Sequence, residues 1–162
     1  MKSSNRVILR KAASICTLIL FGAAGAGAQT ITVTIGDDAV DFGGAQTVAQ
    51  LPGPDGLVSL REAATAANNT PGPQSIHFAI PQATWWNLFP NQAGCRIDNA
   101  IFLTDDNTTI DFTTQTDLTG DTNPGGWEVA VFYAGATTFV SQFMVLADNC
   151  TIKGRDYVGG NS

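Results

Sequence analysis

Apolar and polar positions alternate in two short stretches near the start of this 162-residue chain. Residues 31–35, "ITVTI", set β-branched apolar residues against threonines, the two-residue period of a half-buried strand. Residues 75–80, "SIHFAI", put Ile76, Phe78 and Ile80 on one face and Ser75, His77 and Ala79 on the other. Between them lie an acidic turn, "GDDAVDFGG", a break at 51–56, "LPGPDG", and a stretch with a different period. In "LVSLREAATAANNTPGPQSIHF" (57–78), Leu60, Ala63, Ala64 and Ala67 fall at i, i+3, i+4 and i+7. Ser59 and Glu62 have capping-box spacing, in which the hydroxyl takes the N3 amide and the carboxylate returns to the N-cap amide. Asn68-Asn69 followed by Pro71 marks the stop, so the pattern predicts a helix over 59–69. Its apolar face is mostly alanine, which buries little area and suits a helix lying flat and close on something else.

Beyond residue 80 the apolar segments are short: about 100–103, 108–112, 128–133, 139–146 and 150–153. Turn-formers such as "TDDN", "TGDTNPGG" and "ADN" separate them. Residues 82–96 read as irregular and hold Trp85, Trp86, Phe89 and Cys95, and no second amphipathic helix is visible. The pattern predicts an all-β chain with one helix. "DNTTIDF" (106–112) and "DNCTIKG" (148–154) match as D-N-x-T-I at an offset of 42 residues, with "EVAVFY" (128–133) midway. That spacing predicts two solenoid steps of about 21 residues. Asn107 and Asn149 would then stand roughly 10 Å apart with one rung between. Ile110 and Ile152 would point inward in one file.

Charge divides the chain. Lys2, Arg6, Arg10 and Lys11 open it with no acid before Asp37. An apolar run from Ala12 to about Ala24 follows, and Ala26-Gly27-Ala28 has the form of a signal peptidase site. Residues 1–28 therefore read as a signal peptide. The run is broken by Ser, Cys, Thr and Gly and is shorter than the roughly 20 residues a membrane span needs. "ASIC" around Cys16 lacks the residues of a lipoprotein cleavage site. Removal of 1–28 leaves Arg61, Arg96, Lys153 and Arg155 against 14 acidic residues, a net charge of −10. This excess excludes nucleic acid and anionic membrane as partners, because both need a basic footprint. Cys95 and Cys150 remain, an even pair that in an oxidising compartment is a candidate disulfide, with two unpaired thiols as the alternative. The chain-entropy gain for such a loop is roughly 4 kcal/mol.

Catalytic constellations are sparse. His77 lies on the polar face of a predicted strand and reads as solvated or structural. There is no G-x-S-x-G and no zinc-spaced His/Cys set. Asn68, Asn107 and Asn149 begin Asn-x-Thr triplets and read as turn residues. Asp37, Asp38 and Asp41, and Asp105 with Asp106, make Ca²⁺ a candidate cofactor, although neither group has the ligand spacing of a calcium loop and solvated turn acids fit better. Trp85, Trp86 and Phe89 are candidates for a glycan-stacking patch, with core or cap packing as the better-fitting alternative.

The stretch "VSLREAATAANNTPGPQSIHF" resembles the CSLREA motif near the N-terminus of secreted bacterial right-handed parallel β-helix proteins, which are pectin-lyase-like. Ser59, Leu60, Arg61, Glu62 and Ala63 stand in place, with Val58 at the Cys position. "TVTIGDDAVD", "DDNTTIDFTTQTDLTGDTNPGG" and "LADNCTIKGRDYVGG" resemble the family's following parts, except that Phe112 stands where Gly is usual and its turn is expected to differ. The resemblance spans 31–160 and is closest over 57–78. It implies a cap over 29–80, with Ser59 to Ala63 as its structural core, and first β-helix rungs over 81–162. Because the family carries many more rungs, it also implies an N-terminal fragment whose partner is the rest of its own β-helix. The implied function is structural, adhesive or glycan-binding, outside the cell or at a bacterial cell surface, with extracellular polysaccharide or cell-surface glycans as partners. Arg61 and Glu62 are expected to cap and dock rather than catalyse. The alternative is the start of a polysaccharide lyase or glycoside hydrolase. Family enzymes act on acidic polysaccharides with Asp-held Ca²⁺ and an Arg or Lys base. Arg155 near Asp148 and Asp156, or Lys153 facing Asp111 two rungs away, would imitate that arrangement.

Overall fold

The structure is a computed structural model. It describes residues 27–134 and 141–154, and the backbone of 156–158. Residues 1–28, read above as a signal peptide, thus lie outside the described residues except for the last two. The strands are β1 (Gln29–Val33), β2 (Gln74–Phe78), β3 (Ala93–Ile97), β4 (Ile101–Leu103), β5 (Thr108–Asp111), β6 (Val129–Tyr133), β7 (Phe143–Val145), β8 (Thr151–Lys153) and β9 (Asp156–Val158). The helices are α1 (Leu60–Asn68) and α2 (Gln115–Thr119).

The described strands form three sheets, ordered β1-β2-β5-β8, β3-β6-β9 and β4-β7, and every pairing is parallel. The chain visits them in rotation: β2, β3, β4, then β5, β6, β7, then β8 and β9. The fold is therefore mostly β, built on parallel sheets, with few helices.

Side-chain alternation sets which face turns inward. In the first sheet Ile31 pairs with Ile76, Ile76 with Ile110 and Ile110 with Ile152, one inward file. Ile76 and Ile110 are fully buried, each contributing about 1.5–3 kcal/mol by leaving water. Beside this file, Phe78 stacks on Phe112 at 4.3 Å between ring centroids, and Phe112 meets Phe143 edge-on at 6.3 Å. Cys95, Ile97, Val129 and Val131 from the second sheet and Ile101 and Leu103 from the third complete a single core.

The helix forms one residue inside its predicted bounds at each end, with Ser59 as N-cap and Asn69 as C-cap. Ala63, Ala66 and Ala67 are fully buried, and α1 packs against β1, β2 and β4. The Asn68 side chain donates to the Phe102 carbonyl at 2.8 Å and accepts from the Thr104 amide at 2.8 Å. It thereby serves the edge of β4 as a neighbouring strand would.

Three expectations are corrected. The two D-N-x-T-I segments lie on directly adjacent strands, with no rung between them. Thr109 and Ile110 are in register with Thr151 and Ile152, whereas Val129–Tyr133 belongs to another sheet. The offset of 42 is thus one full circuit. The turns stack directly, Asn107 N–H donating to the Asp148 carbonyl at 3.0 Å and Asp148 N–H to Asp106 Oδ1 at 2.8 Å. Asn107 and Asn149 both adopt positive φ, 63° and 56°, which Asn tolerates better than other side-chain-bearing residues. Second, "AGCRI" within the stretch read as irregular is β3. Third, α2 and β9 were not read from the pattern; α2 has only five residues. Cys95 and Cys150, left open as a disulfide or as two unpaired thiols, are both free. Cys95 is buried in β3 of the second sheet. Cys150 precedes β8 in the first, its thiol directed at the Asp105 carbonyl at 3.5 Å.

Phe112 is buried and begins a 3-10 turn running to Thr114. Gly154, its counterpart one circuit later, has φ +73°, and a Cβ there would run into Thr113 of that turn.

Candidate functional site

The motif residues 59–63 build a clamp at the start of the fold. The Ser59 hydroxyl accepts from the Glu62 amide at 3.1 Å and donates to the Ala39 carbonyl at 2.6 Å. Glu62 accepts from the amides of Ser59 and Asp41, each at 3.0 Å. Burial pushes its carboxyl above the ordinary range, against the pull of those two amides. Arg61 binds both oxygens of Asp38 at 2.7 Å and donates to the Asn99 carbonyl at 2.8 Å and the Ala100 carbonyl at 3.3 Å. Asp38 also accepts from the Asp98 amide at 2.7 Å. Asp41 takes the Asp55 amide at 2.7 Å, a bond that holds its carboxyl below the ordinary range. Three loops are thereby tied to one helix start. Leu60 and Ala63 supply the apolar side of the same turn and are buried. Arg61 is thus engaged by Asp38 and two carbonyls, and Glu62 by the amides of Ser59 and Asp41.

Two of the acids raised as calcium ligands are held by other groups. Asp38 is held by Arg61, and Asp41 by the Asp55 amide. Burial and the neighbouring Asp106 push the Asp105 carboxyl up. Among the described residues no group of three His, Cys, Asp or Glu side chains is placed to hold a metal ion.

The outer face of the first sheet carries the single histidine. His77 is half-buried, and its Nε2 lies 2.9 Å from Ser75 Oγ. Sequence reading missed this pair, although two residues apart on one strand face was the available signal. Asp111 lies on the next strand, ion-paired to Lys153 at 2.8 Å and accepting from the Thr113 hydroxyl at 2.6 Å. Lys153 and Asp111 are register neighbours, not two rungs apart. Arg155 and the Asp156 side chain lie outside the described residues.

The candidate site is an open cleft of about 470 Å³ lined by Ile35, Gly36, Asp37, Thr84, Trp85, Trp86 and Asn87. Both tryptophans raised as glycan contacts meet there. Pro81 opens a short 3-10 turn, Gln82–Thr84, that delivers them. The Trp85 indole donates to the Ile80 carbonyl at 3.1 Å and packs on the core. Trp86 meets Phe132 edge-on at 5.8 Å, and Phe89 lies 5.1 Å from the same ring. Both tryptophans are half-buried, so each is anchored on one side and open on the other, whereas Phe89 is buried. Gly36 lines the cleft, and Gly94 packs closely behind it. A Cβ on Gly36 would run into the Gly94 carbonyl, and one on Gly94 would stand 2.8 Å from Phe89 and 3.1 Å from Trp86. Asp37 and Asn87 are exposed and give the rim its polar groups.

The neighbouring loop is tied to this one. Thr122 donates to the Asn91 carbonyl at 2.8 Å and Asn123 to Gln92 at 3.1 Å. Buried Glu128 holds that loop by accepting from the amides of Thr122 and Asn123, and the loop presents Trp127 at 47% exposure.

No helix among the described residues is long and apolar enough to cross a membrane. Compared with known protein families, with proteins of described function and with solved structures, the chain matches none.

Proposed function

We propose that this chain is the capping end of a secreted, CSLREA-like right-handed parallel β-helix, and that it binds extracellular or cell-surface glycans in a structural or adhesive role. The rotation through three parallel sheets supports the β-helix reading, and parallel crossovers are right-handed in about 98% of cases. The alanine face of α1, buried against the first strands, supports the cap reading, because solenoid ends need an atypical covering element. The acidic balance left after removal of 1–28 suits a soluble extracellular protein.

One observation carries the glycan reading: Trp85 and Trp86 line one open cleft with Asp37, Thr84 and Asn87. Flat aromatic faces take the C–H faces of a sugar ring, while a few convergent polar groups take its hydroxyls. The test is a titration of the full chain with a broad oligosaccharide panel, read by tryptophan fluorescence and calorimetry. Binding is expected, and Trp86→Ala is expected to weaken it by about tenfold or more. Absence of any fluorescence or heat change across the panel would overturn the proposal.

A further inference from the structure

The charge around the cleft narrows its ligand, granted the glycan reading above. Among the described residues, every lysine and arginine is already paired: Arg61 with Asp38, Arg96 with Asp98 and Lys153 with Asp111. None of them lines the cleft, whose one ionisable lining residue is the exposed Asp37. A polyuronate docking there would bring carboxylates against Asp37 with no described cation to receive them. A cationic sugar would meet the opposite situation.

We propose that the cleft selects glycans bearing free amino groups, with Asp37 facing a sugar ammonium while Trp85 or Trp86 takes the ring face, and that it rejects polyuronates. An exposed ion pair of this kind is worth about fivefold in affinity and weakens as salt rises. Like-charge juxtaposition acts in the opposite direction on uronates.

The experiment titrates the full chain with a glucosamine oligomer, its N-acetylated counterpart and an oligogalacturonate of equal length, at low and at high salt. The expected order is glucosamine, then N-acetylglucosamine, then galacturonate, with the first preference shrinking at high salt. Asp37→Asn is expected to remove about fivefold of the glucosamine affinity and to leave the N-acetylated oligomer unchanged. Asp117→Asn, which changes net charge equally on the exposed α2, is expected to leave the preference intact. Equal binding of the two amino-sugar forms, or an equal effect of both Asn variants, overturns the assignment to Asp37 while the glycan reading stands. Tightest binding of galacturonate overturns the charge argument. No binding by any of the three, with none across the wider panel, removes the glycan reading itself.

Discussion

Replacing Arg61 with alanine tests whether the clamp, rather than the alanine face, holds the helix in place. The wild-type guanidinium makes four hydrogen bonds, two of them to Asp38, whose side chain is only 4% exposed. Arg61→Ala leaves that carboxylate with the Asp98 amide as its remaining partner. Removing one member of a buried pair costs about 3–5 kcal/mol, because the other charge stays desolvated. The Arg61 side chain is 23% exposed, so water reaches part of the vacated space. The expected loss is therefore about 2–3 kcal/mol, a large part of the roughly 5–15 kcal/mol that holds a domain folded. Thermal unfolding should shift by about 6–12 °C. Arg61→Lys should recover less than half, since one ammonium cannot span both carboxylate oxygens and the Asn99 carbonyl. In a double-mutant cycle with Asp38→Ala, measured by urea unfolding at constant m, the coupling should exceed about 1 kcal/mol. A single-mutant loss within about 0.5 kcal/mol of zero would refute the reasoning, as would a coupling below that value.

Three further outcomes follow from other parts of the fold. Burial pushes the Asp111 carboxyl up, but the bonds from Lys153 and Thr113 outweigh it and hold the group below its ordinary 3.8, so its stabilising effect is full above pH 3.8 and lost as pH falls through the folded value. Lys153→Met should raise the Asp111 midpoint in a carboxyl NMR titration, and an unchanged midpoint counts against the pair. Gly36→Ala drives a methyl into the Gly94 carbonyl and should cost more than about 3 kcal/mol in urea unfolding, whereas Gly43→Ala, with open space around it, should stay within about 0.5 kcal/mol. Similar costs for both would show that the cleft floor is not close-packed. Burial pushes the Cys95 thiol up to about 12, so iodoacetamide should leave it unmodified in the native chain and label it in denaturant; recovery of a Cys95–Cys150 cross-linked peptide would contradict the free thiols.

The helix was legible because its stop and start signals are local. Ser59 and Glu62 sit three residues apart and bond each other, and no distant residue is needed to recognise them. The Ile31, Ile76, Ile110 and Ile152 file was half legible. Each strand alternates by itself, but which strands touch depends on circuit length, and that is set by the corners. Hence the midway segment Val129–Tyr133 looked like an intervening rung when it belongs to a different sheet. The strand at Ala93–Ile97 was hidden because its chemistry is tertiary. Gly94 is small to admit Trp86, Phe89 and Phe132, and that demand lowers local strand propensity. Of the cleft, the two tryptophans and Asp37 were visible as residue types. Their meeting with Gly36 and Asn87 was not, because it rests on a contact between segments about 50 residues apart. Arg61 pointed to docking, while its partner Asp38 was hidden among neighbouring acids of identical appearance.

The circuits differ in length without losing register: Ile76 pairs with Ile110, 34 residues on, and Ile110 with Ile152, 42 residues on. The strands keep their inward and outward faces, and the corners absorb the difference. Corner length is thus a free variable of this architecture. A foreign peptide spliced at the exposed Gly125–Gly126 step of the corner joining β5 to β6, past the Thr122 and Asn123 amides that Glu128 holds, would be displayed from one flank at a height fixed by the strands below it. The molecule is in that sense a ruled scaffold, on which loops can be exchanged without redrawing the lines.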